Sequence, residues 1–358
     1  MRENTKKITL THSVGSYDIY IGENLLENTG EYIENLGITN KKIKFCIVSD
    51  DIVFPLYGDI VKTSVENKGF AVKYFVFKNG ENQKNLATVS DIYNFLCDNK
   101  FDRNDYLIAL GGGVVGDITG FAAATYLRGI KFIQIATTLL AQVDSSVGGK
   151  TGVNLTRGKN LVGAFYQPRL VLCDAKILRS LPENIYADGM AEVIKHGCIK
   201  SVGLFDSLMK KNISVTDMVY QNVKIKSDVV MSDEFETGER AVLNFGHTVG
   251  HAIEKYYNFS EFSHGQSVAI GMVYAVKISR MLNLCGDDLV EKIIKILDIY
   301  NLPVDTGEKI DGKILADICG GDKKSENDFI KFILLEDIGK YKFVKINKGE
   351  LGDLLCRI

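Results

Sequence analysis

Apolar runs alternate with helical segments through the first half of the chain, and this pattern constrains the fold more than any other feature. Several runs have the length and composition of buried strands: Ile43–Val48, Ala71–Phe77, Tyr106–Leu110, Lys131–Ile135 and Leu170–Cys173. Segments with helical spacing of apolar residues lie between them, for example Leu86–Cys97 and Val114–Tyr126. Strands that alternate with helices predict a mainly parallel sheet with helices on both faces.

The pattern changes after Leu181-Pro182, where helical spacing becomes dominant. The predicted helices of this half are Met190–Lys200, Val219–Met231, Leu243–Tyr257, Val268–Leu284 and Leu289–Tyr300. Residues Phe329–Leu335 and Tyr341–Lys345 are candidates for a strand pair. A chain of 358 residues suits two domains, so we predict an α/β domain over residues 1–181 and a mainly α-helical domain over residues 182–358.

Alternating residues near the N-terminus predict a hairpin. Lys7–Leu10 and Tyr17–Ile21 alternate like the strands of a hairpin around Gly15-Ser16.

Composition excludes several functional classes. The formal net charge of −2 gives no global attraction to nucleic acid or to an acidic membrane. We expect no membrane span and no signal peptide, because no apolar stretch is long enough and the N-terminus lacks an apolar core. The seven cysteines form no Cys-x-x-Cys pair, which is typical of reduced thiols in a cytoplasmic protein.

A glycine-rich segment, Gly111–Asp117, follows a predicted strand and precedes a predicted helix. Its spacing fits G-x-G-x-x-G, in which glycines let the backbone approach a diphosphate at a helix N-terminus. A tight strand-to-helix turn explains the same residues equally well. The acidic residue that usually holds the ribose is absent about 20 positions further on. Asp50 and Glu81 are candidates for that role, although each is also explained as a helix cap or a solvated charge.

A long polar stretch follows Thr137-Thr138, at the end of another predicted strand. It contains Asp144–Gly152 and Gly158-Lys159-Asn160. Lys150, Lys159 and Asn160 on glycine-rich backbone would make a phosphate site, because N–H groups and ammonium charges converge on one anion. A flexible basic loop is the alternative interpretation.

Histidines are concentrated in the helical half. His247 and His251 have i, i+4 spacing and share one face of a helix, and His264 follows. The glutamate of a hydrolytic H-E-x-x-H motif is absent, since Thr248 follows His247. Two histidines and a carboxylate suit a catalytic zinc site, and Glu192 is a candidate for the carboxylate. The alternative interpretation is packed histidines, with Glu192 and Lys195 as a helical ion pair.

Further charged and polar residues accompany the histidines: Lys226, Glu236, Arg240 and Asn244. The last three are spaced by four and would align on one helix. A solvated stripe is the other interpretation, but the Phe245-Gly246-His247 sequence that follows is not typical of an exposed helix.

Several motifs in one order resemble the 3-dehydroquinate synthases, a family of sugar phosphate cyclases. They are Gly111–Asp117, Asp144–Asn154, Gly158-Lys159-Asn160, Gly163–Pro168, Met190–Lys195 and Leu243–Thr248. The resemblance extends from Tyr17 to Asp322-Lys323-Lys324, which is nearly the whole chain. One departure is Leu155-Thr156, where many relatives have His-Pro.

The resemblance implies a Rossmann-like NAD-binding domain followed by a helical domain that binds metal and substrate. It implies that Glu192, His247 and His264 bind Zn²⁺, with Co²⁺ as a possible substitute. The residues implied for NAD are Asp50, Glu81, Lys84, Gly112, Gly113, Val114, Asp117, Thr137, Thr138, Lys150, Lys159, Ile177, Leu178, Arg179 and Ser180.

Other residues are implied to act on the substrate. The implied substrate contacts are Asp144, Lys150, Asn160, Lys195, Lys226, Arg240, Asn244 and Lys324, with Lys323 as the neighbouring alternative to Lys324. Glu236 and His251 match positions with proton-transfer roles. Arg128 matches a residue that reaches the phosphate across a homodimer interface.

The implied reaction converts 3-deoxy-D-arabino-heptulosonate 7-phosphate to 3-dehydroquinate and phosphate, a step of the shikimate pathway of aromatic amino acid biosynthesis. Arg240 and Asn244 favour a substrate with a carboxylate, which disfavours the deoxy-inosose cyclases. An aminodehydroquinate synthase remains an alternative.

A metal-dependent polyol dehydrogenase of the glycerol dehydrogenase type shares the domain plan but needs no set of phosphate-binding lysines. A non-catalytic NAD-binding module is disfavoured by Glu192, His247, His251 and His264.

Overall fold

The computed structural model describes residues 5–321 and 329–358 of the chain. Its strands are β1 Lys6–His12, β2 Gly15–Gly22, β3 Lys44–Asp50, β4 Ala71–Phe77, β5 Tyr106–Gly111, β6 Lys131–Ala136, β7 Lys150–Leu155, β8 Gly158–Phe165, β9 Leu170–Asp174, β10 Phe329–Asp337 and β11 Lys340–Asn347. Its α-helices are α1 Thr29–Glu34, α2 Val53–Glu66, α3 Leu86–Asp98, α4 Gly113–Thr125, α5 Glu183–Lys200, α6 Val202–Met209, α7 Val215–Ser232, α8 His247–Tyr256, α9 His264–Met281, α10 Asp287–Ile299, α11 Gly312–Gly320 and α12 Lys348–Leu355.

The chain packs into two compact units. The first contains Met1–Leu181 and Val215–Phe235, and the second contains Pro182–Ser214 and Glu236–Ile358. The predicted helical domain includes residues 215–235, whereas α7 packs with the first unit. Its Asp217 pairs with Lys6 of β1, and its Lys226 pairs with Asp144. These are tertiary contacts that helical periodicity does not reveal.

A seven-stranded sheet forms the centre of the first unit, in the order β1-β2-β9-β6-β5-β3-β4. Strands β2, β9, β6, β5, β3 and β4 run parallel, and β1 joins β2 as the antiparallel arm of the predicted hairpin. The predicted mainly parallel sheet is therefore confirmed.

Each central strand sends alternate side chains to two hydrophobic cores. In β3, Phe45 and Ile47 join the core that includes α1 and α2, whereas Cys46 and Val48 join the core that includes α3 and α4. This follows from the two-residue period of a strand. It explains why the strand sequences are continuous apolar runs, since both faces are covered.

The order of the strands creates a topological switch point between β3 and β5. The chain leaves β3 for β4 on one side and later returns to place β5 on the other side. Ligands of open α/β sheets bind beyond the carboxyl ends of the strands at such a point. Asp50 ends β3 and Gly111 ends β5, so these two residues flank it.

The second unit is mainly helical and contains α5, α6 and α8–α12. The predicted strand pair is present as the antiparallel β10–β11 hairpin. The predicted single helix Leu243–Tyr257 is wrong, because a 3-10 helix over Glu239–Asn244 ends before α8 begins at His247. Gly246 separates them with φ of 79°, a conformation that breaks a right-handed helix.

The segment between Asp144 and Asn160, predicted as a glycine-rich loop, has regular structure. Residues Ala141–Ser145 form a π-helical turn, and β7 and β8 then form an antiparallel hairpin. Among the described residues, we find no helix that is both long and apolar enough to cross a bilayer.

Candidate active-site residues

Three potential metal ligands of the second unit lie together. Glu192 lies on α5, His247 begins α8 and His264 begins α9. Glu192 Oε1 is 3.4 Å from His247 Nε2 and 3.7 Å from His264 Nε2, and the potential ligand atoms of all three lie within 4.8 Å of one another. The structure thus brings together the three residues predicted to bind metal.

The carboxylate of this cluster is buried and charged. Glu192 is only 1% exposed, and its Oε1 atom has no hydrogen-bond partner among the described residues. Lys195, one turn further along α5, forms an ion pair with Oε2. Burial raises the pKa of Glu192, but Lys195, His247 and His264 together hold that pKa well below its usual value. An ionised carboxylate with a buried oxygen that lacks a hydrogen bond is suited to bind a cation.

A backbone carbonyl orients His247. Its Nδ1 atom lies 3.2 Å from the carbonyl oxygen of Phe245. Because a carbonyl can only accept, this contact places a proton on Nδ1, and Nε2 is the ring nitrogen that faces Glu192. Metal-binding histidines in proteins are commonly oriented in this way.

Glycines allow α8 and α9 to approach closely enough to bring His247 near His264. A Cβ atom at Gly271 would lie 1.9 Å from the carbonyl oxygen of Gly246, and one at Gly250 would lie 2.8 Å from the carbonyl oxygen of Ser267. No side chain fits at these distances, so the glycines are required by the backbone contact.

His251 and Glu254 extend the cluster. His251 lies one turn after His247, and their ring centroids are 5.3 Å apart, which confirms the predicted shared helix face. Glu254 Oε1 is 3.6 Å from His264 Nδ1, the ring nitrogen opposite the one that faces Glu192. Burial lowers the pKa of His264, but Glu254 and Glu192 raise it to a net value above the ordinary one. His251, Glu254 and His264 form a second group whose potential ligand atoms lie within 4.8 Å.

Glu236, Arg240 and Asn244 do not stack on a helix, so that prediction is wrong. Glu236 lies before the 3-10 helix and has φ of 59°, whereas Arg240 and Asn244 lie within it. The Asn244 side chain nevertheless donates to Glu236 Oε1 at 3.0 Å. Arg240 is 1% exposed, which excludes the solvated stripe for this residue.

In the first unit, the glycine motif forms the start of α4. Gly112 precedes the helix, which begins at Gly113 and includes Val114 and Asp117. A Cβ atom at Gly116 would lie 2.2 Å from Gln134 Nε2 of β6. The third glycine of the motif therefore serves helix–sheet packing, and Gly112 and Gly113 remain available for close approach of a ligand to the helix N-terminus.

Two hydroxyls near the start of α4 are buried without hydrogen bonds. They are Thr137 Oγ1 and Ser145 Oγ, for which the described residues provide no partner. Thr137 follows β6, and its N–H donates to the carbonyl oxygen of Gly111. Thr138 lies beside Gly112, where a Cβ atom would meet it at 3.0 Å. Buried hydroxyls without partners are costly, so this end of the sheet suits a polar ligand.

Asp50 serves as a structural cap in this structure. Its Oδ1 atom accepts from the N–H groups of Ile52 and Val53 at 3.0 and 2.8 Å, and Oδ2 accepts from Asn79 at 3.1 Å. These bonds at the start of α2 favour the capping interpretation of Asp50. Its contact with a ribose stays a prediction.

Lys84 connects several residues predicted to bind ligands. Its ammonium group pairs with Asp117 and donates to Asn160 Oδ1 at 2.6 Å. Burial raises the pKa of Asp117, and the Lys84 charge opposes that increase. Glu81 accepts from Asn154 Nδ2 at 2.7 Å. Asn154 is thus a neighbour of a predicted site residue that was not itself predicted.

The remaining lysines lie on defined elements and not on a flexible loop. Lys150 begins β7, and Lys159 lies on β8. Lys226 of α7 is buried and pairs with Asp144 Oδ1 at 2.7 Å. Leu155 and Thr156 lie at the exposed end of the β7–β8 hairpin.

Two predicted segments lie in turns. The segment Ile177–Ser180, which contains Leu178 and Arg179, belongs to a 3-10 helix over Ala175–Ser180. Arg128 follows α4 and has φ of 65°, next to Leu127 at 50°. Lys323 and Lys324 lie outside the described residues.

Residues that position the potential metal ligands were not predicted from the sequence. Asp188 accepts from the N–H of Gly265 at 2.6 Å and from the Ser263 hydroxyl, so one carboxylate fixes both sides of His264. Asp188 also lies one turn before Glu192 on α5. No motif identifies such a contact, because it depends on how α5 packs against α9.

Two family models together match most of this chain. Two family models, described as 3-dehydroquinate synthase N-terminal and C-terminal, match residues 74–188 and 189–325. The chain is 46% identical over 341 residues to the 3-dehydroquinate synthase of Clostridium botulinum, covering 94% of this chain and 96% of that protein.

Solved structures extend the comparison to the fold. A 2-deoxy-scyllo-inosose synthase complexed with carbaglucose-6-phosphate, NAD⁺ and Co²⁺ superposes with a TM-score of 0.86 at 26% identity, over 98% of this chain and 99% of that one. A probable glycerol dehydrogenase from Sinorhizobium meliloti shares the fold at a TM-score of 0.63 and 12% identity, with 94% of each chain covered. The likeness to that dehydrogenase is one of fold alone.

Proposed function

The chain belongs to the 3-dehydroquinate synthase family, and from that premise we propose that it converts 3-deoxy-D-arabino-heptulosonate 7-phosphate to 3-dehydroquinate and phosphate. The observation that carries the proposal is the cluster of His247 and His264 around the buried Glu192 in the second unit. The proposed cofactors are NAD, used catalytically, and one divalent metal ion, Zn²⁺ or Co²⁺.

The residues of the cluster fit a catalytic metal. Two imidazole nitrogens and one carboxylate oxygen match the donor set of many catalytic zinc sites, which keep positions open for substrate. The Glu192 oxygen that lacks a hydrogen bond supports this fit. Lys195 balances the charge of the same carboxylate, and Glu254 supports His264 from the far side of its ring.

The residues around the start of α4 fit a dinucleotide. Gly112 and Gly113 lie at the N-terminus of α4, where backbone N–H groups favour a diphosphate, and the Thr137 hydroxyl has no partner among the described residues. Glu81 and Lys84 supply further polar groups. We propose that these residues hold NAD, together with the rest of the set implied by the family.

The two cofactors supply different chemistry when bound. A divalent metal ion activates substrate hydroxyls as a Lewis acid, and NAD provides a reversible hydride acceptor. The protein's own residues bind and orient the substrate and move its protons. We assign His251, which lies beside both proposed histidine ligands, to accept the proton of the hydroxyl that is oxidised. Glu236 is the second proposed proton-transfer group.

Charged side chains are proposed to bind the two anionic groups of the substrate. Arg240 is buried and always charged, and we propose that it binds the substrate carboxylate together with Asn244. Lys150, Asn160 and Lys195 are proposed to hold the phosphate group. A ketone next to the carbon that loses its proton makes elimination of that phosphate feasible, and cationic groups stabilise the departing dianion.

Further substrate contacts are proposed from Asp144 and Lys226, which form an ion pair in the first unit. We also propose a homodimer in which Arg128 acts on the neighbouring subunit, and a cytoplasmic location.

Phosphate release with catalytic NAD tests the proposal directly. Purified, metal-loaded protein is incubated with the heptulosonate phosphate and NAD at a concentration well below that of the substrate. We expect many phosphates released per NAD and no accumulation of NADH absorbance, while Glu192→Gln protein serves as the inactive control. One NADH accumulated per phosphate released would indicate a dehydrogenase and contradict the proposal.

A further inference from the structure

Asn154 lies at an irregular position of the β7–β8 hairpin. The regular pairing passes from Val153↔Val162 to Leu155↔Gly158 with a register shift between them. Asn154 therefore falls outside the ladder. Its N–H donates instead to the carbonyl oxygen of Lys84 at 2.8 Å. Irregularities of this kind redirect a side chain away from the partner strand, and here they direct Asn154 toward the turn that contains Glu81 and Lys84.

Both the nitrogen and the oxygen of the Asn154 side-chain amide form hydrogen bonds. Nδ2 donates to Glu81 Oε1 at 2.7 Å, and Oδ1 accepts from the N–H of Asn160 at 2.8 Å. An ionised carboxylate only accepts and a backbone N–H only donates, so one orientation of the amide satisfies both neighbours. Asn160 has φ of 55°, and its own Oδ1 accepts from Lys84 Nζ at 2.6 Å. The N–H of Lys84 donates to the carbonyl oxygen of Glu81 at 3.0 Å, so Glu81, Asn154, Asn160 and Lys84 form a closed ring of contacts.

The ring joins residues with different proposed ligands. Glu81 and Lys84 are proposed to contact NAD, whereas Asn160 is proposed to contact the substrate phosphate. We propose that Asn154 is a positioning residue that holds the NAD-contacting Glu81 and the phosphate-contacting Asn160 in one geometry. This inference rests on the proposed function, because that function assigns the two ligands.

An amide is required at this position. Aspartate has nearly the same shape and still accepts from the Asn160 N–H, but it places a second carboxylate against Glu81. Like charges at hydrogen-bonding distance repel strongly. Alanine leaves the Asn160 N–H without its partner and removes the donor to Glu81. The two substitutions therefore disturb different contacts.

A double-mutant cycle with Glu81 separates positioning from general damage. In Glu81→Gln protein, the new amide can accept from Asn154, and it can also donate to an aspartate at position 154. We measure the NAD dissociation constant by titration calorimetry for the wild type, Asn154→Asp, Glu81→Gln and the double variant. We expect Asn154→Asp to weaken NAD binding about tenfold or more when Glu81 is intact. The same change should weaken it no more than about twofold when it is made in Glu81→Gln protein.

The substrate side is tested in the Glu81→Gln background. Asn154→Asp should keep the KM for the heptulosonate phosphate and the turnover near those of Glu81→Gln alone, because Asn160 keeps its acceptor. Asn154→Ala should raise that KM or lower turnover about tenfold. The matched control is Asn82→Asp, which adds the same charge to an exposed side chain of the same turn and should change NAD binding little.

The outcomes distinguish the inference from the proposed function. Equal loss of NAD affinity on Asn154→Asp in both backgrounds would mean ordinary structural damage and would overturn the role of Asn154. Unchanged affinity in both backgrounds would overturn it as well. A wild-type protein that binds NAD but releases no phosphate would contradict the proposed reaction, while the calorimetric cycle would still decide whether Asn154 positions Glu81.

Discussion

His264 presents one ring nitrogen to Glu192 and the other to Glu254, so a single imidazole lies between two buried carboxylates. The Nδ1 atom of His264 is 3.6 Å from Glu254 Oε1, and its Nε2 atom is 3.7 Å from Glu192 Oε1. A carboxylate that accepts from the Nδ1 proton fixes the tautomer and leaves Nε2 available for a metal ion. Glu254 is therefore expected to act on the metal through His264.

Replacement of Glu254 should weaken metal binding without abolishing it. We expect Glu254→Gln to reduce Zn²⁺ affinity about 10- to 100-fold, the usual cost of losing such a supporting group. Competition with a chromophoric chelator measures this affinity directly. Glu291→Gln, an exposed glutamate on α10, is the matched control and should retain wild-type affinity. If Glu254→Gln protein binds Zn²⁺ as tightly as the wild type, Glu254 has no supporting role.

Removal of a proposed ligand should have a larger effect than removal of its support. We expect His264→Ala protein to be purified without stoichiometric metal and without activity, but with an unchanged circular dichroism spectrum. His251→Ala should retain one metal per chain and lose turnover, because its proposed role is proton transfer. This pair of variants also separates the two possible ligand groups, since metal loss from His251→Ala would favour the group of His251, Glu254 and His264.

Close backbone contact at the start of α8 and on α9 should support both stability and metal binding. A Cβ atom at Gly271 would lie 1.9 Å from the carbonyl oxygen of Gly246, so Gly271→Ala must force the helices apart. We expect a loss of about 1–3 kcal/mol in the free energy of unfolding, measured by urea denaturation, together with weaker metal binding.

Gly203→Ala is the control for this change. Gly203 lies on α6, and a Cβ atom added there would meet no heavy atom of its surroundings within 4 Å. Alanine at a helical position without steric conflict should stabilise the protein by about 0.5–1 kcal/mol. Equal effects of the two substitutions would show that the close contact at Gly271 is unimportant.

The parallel sheet could be predicted because its strands are buried on both faces and therefore read as apolar runs. The β7–β8 hairpin could not be predicted in the same way. A Cβ atom at Gly163 would lie 2.2 Å from the carbonyl oxygen of Thr151, and one at Gly152 would lie 2.7 Å from that of Val162. Glycine is needed because the two strands approach so closely, and a segment rich in glycine predicts a loop.

The candidate site residues likewise include some that local sequence patterns predict and others that depend on tertiary packing. The i, i+4 spacing of His247 and His251 predicts a shared helix face from local geometry alone. The contacts of Glu254 and Asp188 with the segment around His264 depend on tertiary packing between helices, which leaves no periodic signal. Glu236 and Asn244 could be identified as candidate site residues because they are polar. Their predicted alignment on one helix is wrong, because Glu236 has a positive φ, which a right-handed helix does not allow.

The backbone around Arg128 supports a test of the proposed homodimer. Leu127, Arg128 and Gly129 all have positive φ, at 50°, 65° and 125°, and such strain in residues other than glycine is retained mostly where it serves a function. We expect Arg128→Ala and His247→Ala proteins each to be inactive. Mixed after unfolding and refolding together, they should recover part of the activity, because some heterodimers contain one intact site. No recovery, in a mixture shown to contain heterodimers, would contradict a role of Arg128 across the interface.

Lys150 should serve the phosphate more than the nucleotide. It begins β7 and is exposed, so alanine at this position should leave the fold intact. A lysine acts as a point charge that can follow a departing dianion. If the contact strengthens as charge develops on the leaving oxygen, its loss depresses the chemical step and not only binding. We expect Lys150→Ala to lower kcat about 10- to 100-fold, equivalent to ~1.5–3 kcal/mol.

The nucleotide provides the control for that measurement. NAD affinity of Lys150→Ala, measured by calorimetry in the absence of substrate, should change less than about threefold, because a group that acts on the substrate contributes little to cofactor binding. Restoration of part of the turnover by Lys150→Arg would support a role for the positive charge itself. A large loss of NAD affinity with turnover preserved at saturating NAD would instead place Lys150 in the cofactor site. A polyol dehydrogenase needs no lysine that binds a leaving phosphate, whereas a phosphate-eliminating cyclase does. That result would therefore remove the feature that most distinguishes the two functions for this chain.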